Sequence, residues 1–171
     1  YYPEFRVSIN LSYVQILKSP LMMELKQMIE HSGISCSGII VELTESGYLE
    51  GTPAVRSVWN DMKQLRIQIA LDDFGTGYSN LMNISNLEPD IVKLDRGFTL
   101  KALSRSYEYQ LMQYVIEMVH KLNQYVCVEG VETKEDLEKI KALGPDLIQG
   151  YYYSKPCSRD EFLKKFFGYS E

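Results

Sequence analysis

Apolar and polar residues alternate from Arg6 to Ser12, so that Val7, Ile9 and Leu11 share one face, the period-2 signature of a strand. The period then lengthens. Val14, Leu17, Leu21, Met22, Leu25, Met28 and Ile29 recur at helical spacing as far as His31, and Gly33 suits the helix end. Pro20 lacks the N–H that a helix interior needs, so a break or fresh start is predicted at Ser19-Pro20. The same unit recurs along the chain. Strands are predicted at 38–45, 68–74, 91–95, 125–129 and 147–153, and helices at 52–65, 104–123, 134–143 and 158–167. A Gly-rich loop and a short helical stretch follow the third strand. Six strands alternating with helices call for an α/β fold with a parallel sheet and its crossovers on the faces, either an open doubly wound sheet or a barrel.

The polar residues choose between these two. In all six units they lie in or at the end of the strand: Asn10, Glu42 and Glu45, Asp72 and Asp73, Lys93 and Asp95, Glu129 and Glu132, and Gln149. A (β/α) barrel gathers its site from every strand end, whereas an open sheet gathers ligands at one switch point. A TIM-type barrel is therefore predicted. Taken singly, each of these residues reads best as a solvated strand end or a satisfied ion pair. Ionisable groups on strands as apolar as 39–43, 69–71 and 126–128 are costly to bury unless paired or bound to a cation, and six together are not accidental.

Asn10, Glu42, Asp72, Asp73 and Glu129 are oxygen donors with no Cys or His among them, a set suited to Mg²⁺ or Mn²⁺ rather than zinc. The substrate should then carry phosphate. Adjacent Asp72 and Asp73 point apart on a regular strand, but at its terminus they can serve two metals about 3.5 to 4 Å apart. Lys93 is placed to hold an attacking water or to meet phosphate charge; a Schiff-base role fits poorly beside so many carboxylates. Two glycines in Phe74-Gly75-Thr76-Gly77-Tyr78-Ser79 suggest a mobile loop over the site, with Glu45 as its candidate anchor. His31 and His120 fall in helices and are not offered as catalysts, and Arg96 is read as a surface salt-bridge partner.

The 171 residues, 45% hydrophobic and 24% charged, suffice to bury roughly 70% of the unfolded surface in one domain, which excludes disordered and fibrous readings. A net charge of -5 argues against a nucleic-acid polymer as partner. Cys36, Cys127 and Cys157 are odd in number and far apart, which suggests neither a disulfide framework nor a zinc ribbon but thiols in a reducing, cytoplasmic setting. No apolar run approaches the roughly 18 residues of a membrane span, so any membrane anchor is expected in domains outside the chain.

Together, Ile9-Asn10-Leu11-Ser12, Glu42-Leu43-Thr44-Glu45, Asp72-Asp73-Phe74-Gly75-Thr76-Gly77-Tyr78-Ser79, Lys93-Leu94-Asp95, Glu129-Gly130-Val131-Glu132 and Gln149-Gly150-Tyr151 through Lys155-Pro156 resemble the EAL-domain family. The resemblance runs from Asn10 to Pro156 in family order. It implies a modified TIM barrel that uses Mg²⁺ or Mn²⁺ to hydrolyse cyclic di-GMP to linear pGpG in bacterial second-messenger signalling. By the same resemblance, Asn10, Glu42 and Asp72 bind the first metal, Asp73 helps bind a second, and Lys93 and Glu129 position or activate the water. Gln149 and Asp95 then belong to the substrate pocket, and Glu45 and Glu132 to loop stabilisation.

The Glu-Ala-Leu signature of that family belongs upstream of Asn10 and is not found in the nine residues there. Against a typical barrel of about 250 residues the chain is short by roughly two strands and their helices. The whole of 1–171 is thus read as the C-terminal two-thirds of an EAL domain, inactive alone, with six of eight strands. Its uncovered edges are expected to be closed by a homodimer, swapped or gap-covering, and its parent to carry regulatory domains. Two other functions stay open: a receptor that binds cyclic di-GMP without cleaving it, and, with little weight, an unrelated metal-dependent barrel enzyme such as an aldolase.

Overall fold

A computed structural model describes residues 5–18, 20–44, 52–76, 84 and 87–168. Its strands are β1 (Val7–Asn10), β2 (Ile39–Thr44), β3 (Gln68–Phe74), β4 (Ile91–Leu94), β5 (Tyr125–Glu129) and β6 (Leu147–Gln149). Its helices are α1 (Tyr13–Lys18), α2 (Leu21–Ser32), α3 (Pro53–Gln64), α4 (Arg96–Ser104), α5 (Ser106–Lys121), α6 (Lys134–Lys141) and α7 (Arg159–Phe167). The six strands pair in sequence order, β1-β2-β3-β4-β5-β6, and every pair is parallel. A doubly wound sheet reverses its strand order; this one never does, so it is the wall of an incomplete TIM-type barrel.

Strand alternation divides the residues between two environments. Outward side chains such as Val41, Leu43, Ile69, Leu71, Val92, Leu94, Val126 and Val128 join one core with Trp59 and Met62 of α3, Met112 and Ile116 of α5, and Ile140 of α6. Inward, Ile40, Ala70, Ile91 and Cys127 form a second, smaller cluster. Every strand contributes to the lining of a single cavity of about 880 Å³, Ser8, Ile40, Ala70, Ile91, Cys127 and Leu147 among them, so the sheet curls around a common interior. Phe162 and Phe166 of α7 line it too. Phe5, just before β1, meets the rings of Phe162 and Phe167 edge-on at centroid distances of 6.1 and 5.9 Å, which packs α7 against the entrance to β1.

The local signals act as expected at most element ends. Pro20 separates α1 from α2, and Gly33, at a φ of 68°, closes α2 in the left-handed conformation that its missing side chain permits. Capping boxes, Thr133 with Asp136 and Ser158 with Glu161, start α6 and α7. Two elements differ from the sequence reading. β6 stops at Gln149 rather than running on to Tyr153, because the chain turns back there: Tyr152 N donates to Val131 O and Tyr153 N to Gly150 O, both at 3.1 Å. And α4 was not foreseen: Asp95 caps it, Phe98 and Ala102 one turn apart are buried, and extended Arg105 separates it from α5.

The entrances to β4 and β6 use one device twice. Pro89-Asp90 and Pro145-Asp146 each precede a strand, and each aspartate Oδ2 accepts an N–H from the start of the preceding strand, Ile69 N at 2.8 Å and Val126 N at 2.7 Å. Asp90 N and Asp146 N return the bond to the carbonyls of the same two residues. His120 Nε2 also meets Asp146 Oδ2, at 2.9 Å, so that histidine serves the scaffold. Asp90→Ala strands the N–H of fully buried Ile69 and is expected to destabilise the fold by about 2 kcal/mol, measurable as a lowered urea midpoint. Among the described residues no helix is long and apolar enough to cross a membrane.

Candidate active site

Two residues beyond the apolar inner layer, on the same face, each central strand carries an ionisable side chain: Glu42 follows Ile40, Asp72 follows Ala70, Lys93 follows Ile91 and Glu129 follows Cys127. Period-2 geometry therefore stacks a charged layer on a greasy floor, at the carboxyl ends of the strands. Lys93 is at its centre, 4% exposed. Its Nζ donates to Glu129 Oε1 at 2.6 Å and to Glu42 Oε2 at 2.7 Å, and stands 3.1 Å from Asp72 Oδ1. Burial pulls the ammonium toward its neutral form, but the hydrogen bonds of Glu129 and Glu42 and the charge of Asp72 outweigh it and hold Lys93 above the ordinary lysine range. Glu129 moves the other way from a usual carboxylate: burial raises it, and Lys93 recovers only part of the difference.

Three carboxylates against one ammonium leave this layer with two surplus negative charges. Asp73 adds to them. The β3–β4 register shifts between Leu71 and Phe74, and Asp73 takes a φ of 61°, rare for a residue with a side chain. That bulge turns Asp73 out of strict alternation, so that Asp72 and Asp73 are no longer on opposite faces of a regular strand. Asp73 N donates to Asp72 Oδ1 at 3.0 Å. Its carboxyl lies above the usual range through partial burial, then through repulsion by Asp72 and Asp95.

Asn10 ends β1, exposed, in register with Glu42. Gln149 ends β6 in register with Glu129 and lines the main cavity together with Glu42 and Lys93. The five oxygen donors of the sequence reading thus lie at or near the carboxyl ends of β1, β2, β3 and β5, with β4 and its Lys93 between the last two. Their chemistry fits a hard divalent cation, although among the described residues no three Asp, Glu, His or Cys side chains form a cage for one as they stand.

A family model for the EAL domain matches residues 2–156. The chain belongs to the EAL domain family. It is 32% identical over 154 residues to the cyclic di-GMP phosphodiesterase PdeF of Escherichia coli (strain K12), covering 90% of this chain and 21% of that protein. It is 29% identical over 161 residues to PdeL of the same organism, also a cyclic di-GMP phosphodiesterase, covering 94% of this chain and 44% of that one. It therefore spans about a fifth of the length of PdeF and less than half of PdeL. Among solved structures, the EAL enzyme Bd1971 bound to cAMP and cyclic di-GMP superposes with a TM-score of 0.88 at 31% identity, over 94% of this chain and 43% of that one. A manganese and cyclic di-GMP complex of Klebsiella pneumoniae BlrP1 superposes with a TM-score of 0.82 at 26% identity, over 89% of this chain and 39% of that one.

Within this EAL chain, two of the expected residues have protein partners of their own. Asp95 was expected in the pocket; its Oδ1 accepts Gly97 N at 2.7 Å and caps α4, since an aspartate just before a helix finds free N–H groups there. Glu132 was expected to steady a loop, and its Oε1 accepts Arg96 Nη2 at 2.7 Å and Nε at 3.2 Å, joining the loop after β5 to the start of α4. Glu45 and the Gly77-Tyr78-Ser79 end of the Gly-rich loop lie outside the described residues. Cys127 went unnoticed as a site residue. Its signal was its place two residues before Glu129; burial pushes its thiol up to about 12, so it is an inert part of the floor. A smaller cavity of about 360 Å³, between Arg96, Glu129, Gln149 and Tyr151, was also unforeseen, since the turn after β6 builds one side of it.

Proposed function

We propose that this chain carries the hydrolytic site of a cyclic di-GMP phosphodiesterase that produces linear pGpG. The observation that carries the reading is the buried Glu42-Asp72-Glu129 cluster around Lys93, at the strand ends of an EAL barrel whose relatives bear that activity. Asn10, Glu42, Asp72, Asp73 and Glu129 would hold the divalent ions, Mg²⁺ or Mn²⁺; related complexes contain manganese or calcium, which supports a divalent requirement. Such ions supply Lewis-acid charge at the phosphate and lower the pKa of water.

The protein's own groups do the rest. Lys93 directs an N–H at the attacking water or at a phosphate oxygen, and holds the water in line with the scissile bond. The Glu129 carboxylate, which burial raises above the usual carboxylate range, takes the water proton. The water oxygen bonds to phosphorus as the bond from phosphorus to the ribose 3′ oxygen breaks, and the 3′ oxygen leaves with a proton from solvent. Gln149 hydrogen-bonds substrate at the rim. The bulge at Asp73 holds a strained backbone at the same rim, the kind of local cost that a functional position retains.

We read the chain as the larger part of an EAL domain within a longer regulated protein. Coverage supports this: the chain matches 73% of the crystallised EAL domain of Mycobacterium smegmatis DcpA, but only 23% of the bifunctional cyclase/phosphodiesterase MucR of Pseudomonas aeruginosa. The test is chromatographic. Cyclic di-GMP is incubated with Mn²⁺ or Mg²⁺ and either this chain or its longer protein, and pGpG is followed. Product that disappears on adding EDTA is expected from the longer protein at least. Tight binding of cyclic di-GMP without product from either would overturn the hydrolase reading in favour of the receptor.

A further inference from the structure

Lys93 has three N–H donors, and three carboxylate oxygens stand within 3.1 Å of its Nζ. Glu129 and Glu42 take two of these donors as hydrogen bonds, and the Asp72 carboxylate at 3.1 Å crowds the third, so the ammonium faces carboxylates rather than water or phosphate. The same carboxylates, held in this way, form no three-membered metal cage among the described residues. One set of side chains thus faces two demands that its present rotamers cannot meet together: satisfy Lys93, or surround a divalent ion.

We propose that Lys93 is a built-in placeholder cation, which holds Glu42, Asp72 and Glu129 together until a divalent ion draws at least one of them away and frees an N–H for the substrate. The inference rests on the divalent-metal hydrolase reading above and deepens it. Electrostatics makes the device necessary. The side chains of Glu42, Asp72 and Glu129 are 8, 14 and 19% exposed, and three carboxylates so close and so dry repel one another unless a cation lies between them. Lys93 supplies that cation from the chain itself, on the strand between those of Asp72 and Glu129, so the site can fold before it is loaded. Loading is then an exchange of one cation for another, and it switches Lys93 from a structural role to a positioning one.

The wild-type protein offers a direct readout in ¹⁵N-detected NMR of lysine ammonium groups. After EDTA treatment Lys93 should give a protected, slowly exchanging ammonium signal, assigned by its loss in Lys93→Met. Saturating Mg²⁺, a diamagnetic probe, should shift that signal or abolish its protection. Calorimetry provides the second measurement: Lys93→Met should bind Mg²⁺ about tenfold more tightly than wild type, since one competing positive charge is gone, and without metal should melt about 10 °C lower. An unchanged Lys93 signal in a protein that calorimetry shows to be loaded overturns the placeholder while leaving the hydrolase reading intact. Equal Mg²⁺ affinity in wild type and variant does the same. Absence of Mg²⁺ and Mn²⁺ binding to both proteins removes the metal reading, and the placeholder with it. Should Lys93→Met fail to fold, Lys93→Arg, which keeps the cation but removes the lysine ammonium, supplies the assignment, and the wild-type signal decides.

Discussion

Glu129→Gln is expected to slow cyclic di-GMP hydrolysis by about 10³-fold, within the range that loss of a general base produces. The substitution keeps the shape of the side chain and removes its charge. In the native site Glu129 Oε1 lies 2.6 Å from Lys93 Nζ, and burial keeps the carboxyl above its usual range. An amide there accepts no proton at any working pH, and it offers Lys93 a weaker, uncharged acceptor. Two functions are lost at once. The KM for cyclic di-GMP should change only a few-fold, because Glu129 is placed to act on the water rather than on the bases. Steady-state pGpG production across substrate concentrations separates the two parameters. A kcat within threefold of wild type would mean that another group takes the proton.

Among the described glycines, Gly150→Ala is expected to be the most destabilising substitution, with a loss of about 3 kcal/mol or more and a melting temperature lower by roughly 10 °C. A Cβ on Gly150 would lie 2.0 Å from Val131 O, 2.5 Å from Val131 N and 2.7 Å from Val131 C. These are backbone atoms of a fully buried residue, and they cannot rotate aside. The chain crossing there is fastened by Val131 N to Gln149 O at 3.3 Å and Tyr152 N to Val131 O at 3.1 Å, and both bonds must stretch to admit a methyl. Since Gln149 precedes the crossing, the rim of the cavity moves with it. Gly144→Ala is the control for the opposite case: its φ is positive, 74°, unlike that of Gly150, and it meets no atom within 4 Å, so only the left-handed strain of about 1 kcal/mol applies. Differential scanning calorimetry of the two variants distinguishes steric crossing from backbone strain. Equal losses would show that the Val131 contact yields easily.

The alternation of apolar and polar residues was enough to determine the class of fold, and most of what shares the inner face. Once Ile40, Ala70, Ile91 and Cys127 face inward, Glu42, Asp72, Lys93 and Glu129 must do so as well, because strand geometry returns every second side chain to the same side. Sequence order also placed these residues at strand ends, and β3 and β5 run over the predicted ranges. Helix α4 escaped because it is short and only weakly amphipathic, its start marked by a single aspartate that reads equally well as a pocket residue. Tertiary structure alone decided the rest. Which carboxylates reach Lys93 depends on the stagger between four strands that are up to 87 residues apart, and no local rule carries that distance. The bulge that takes Asp73 out of alternation arises from the mismatch of β3 against β4, a property of the pair rather than of either strand. That Asp95 caps a helix also became visible only in the structure, where its Oδ1 accepts Gly97 N. Periodicity is a short-range consequence of backbone geometry and survives in the sequence; registry and charge pairing are long-range and exist only once the sheet has closed around its interior.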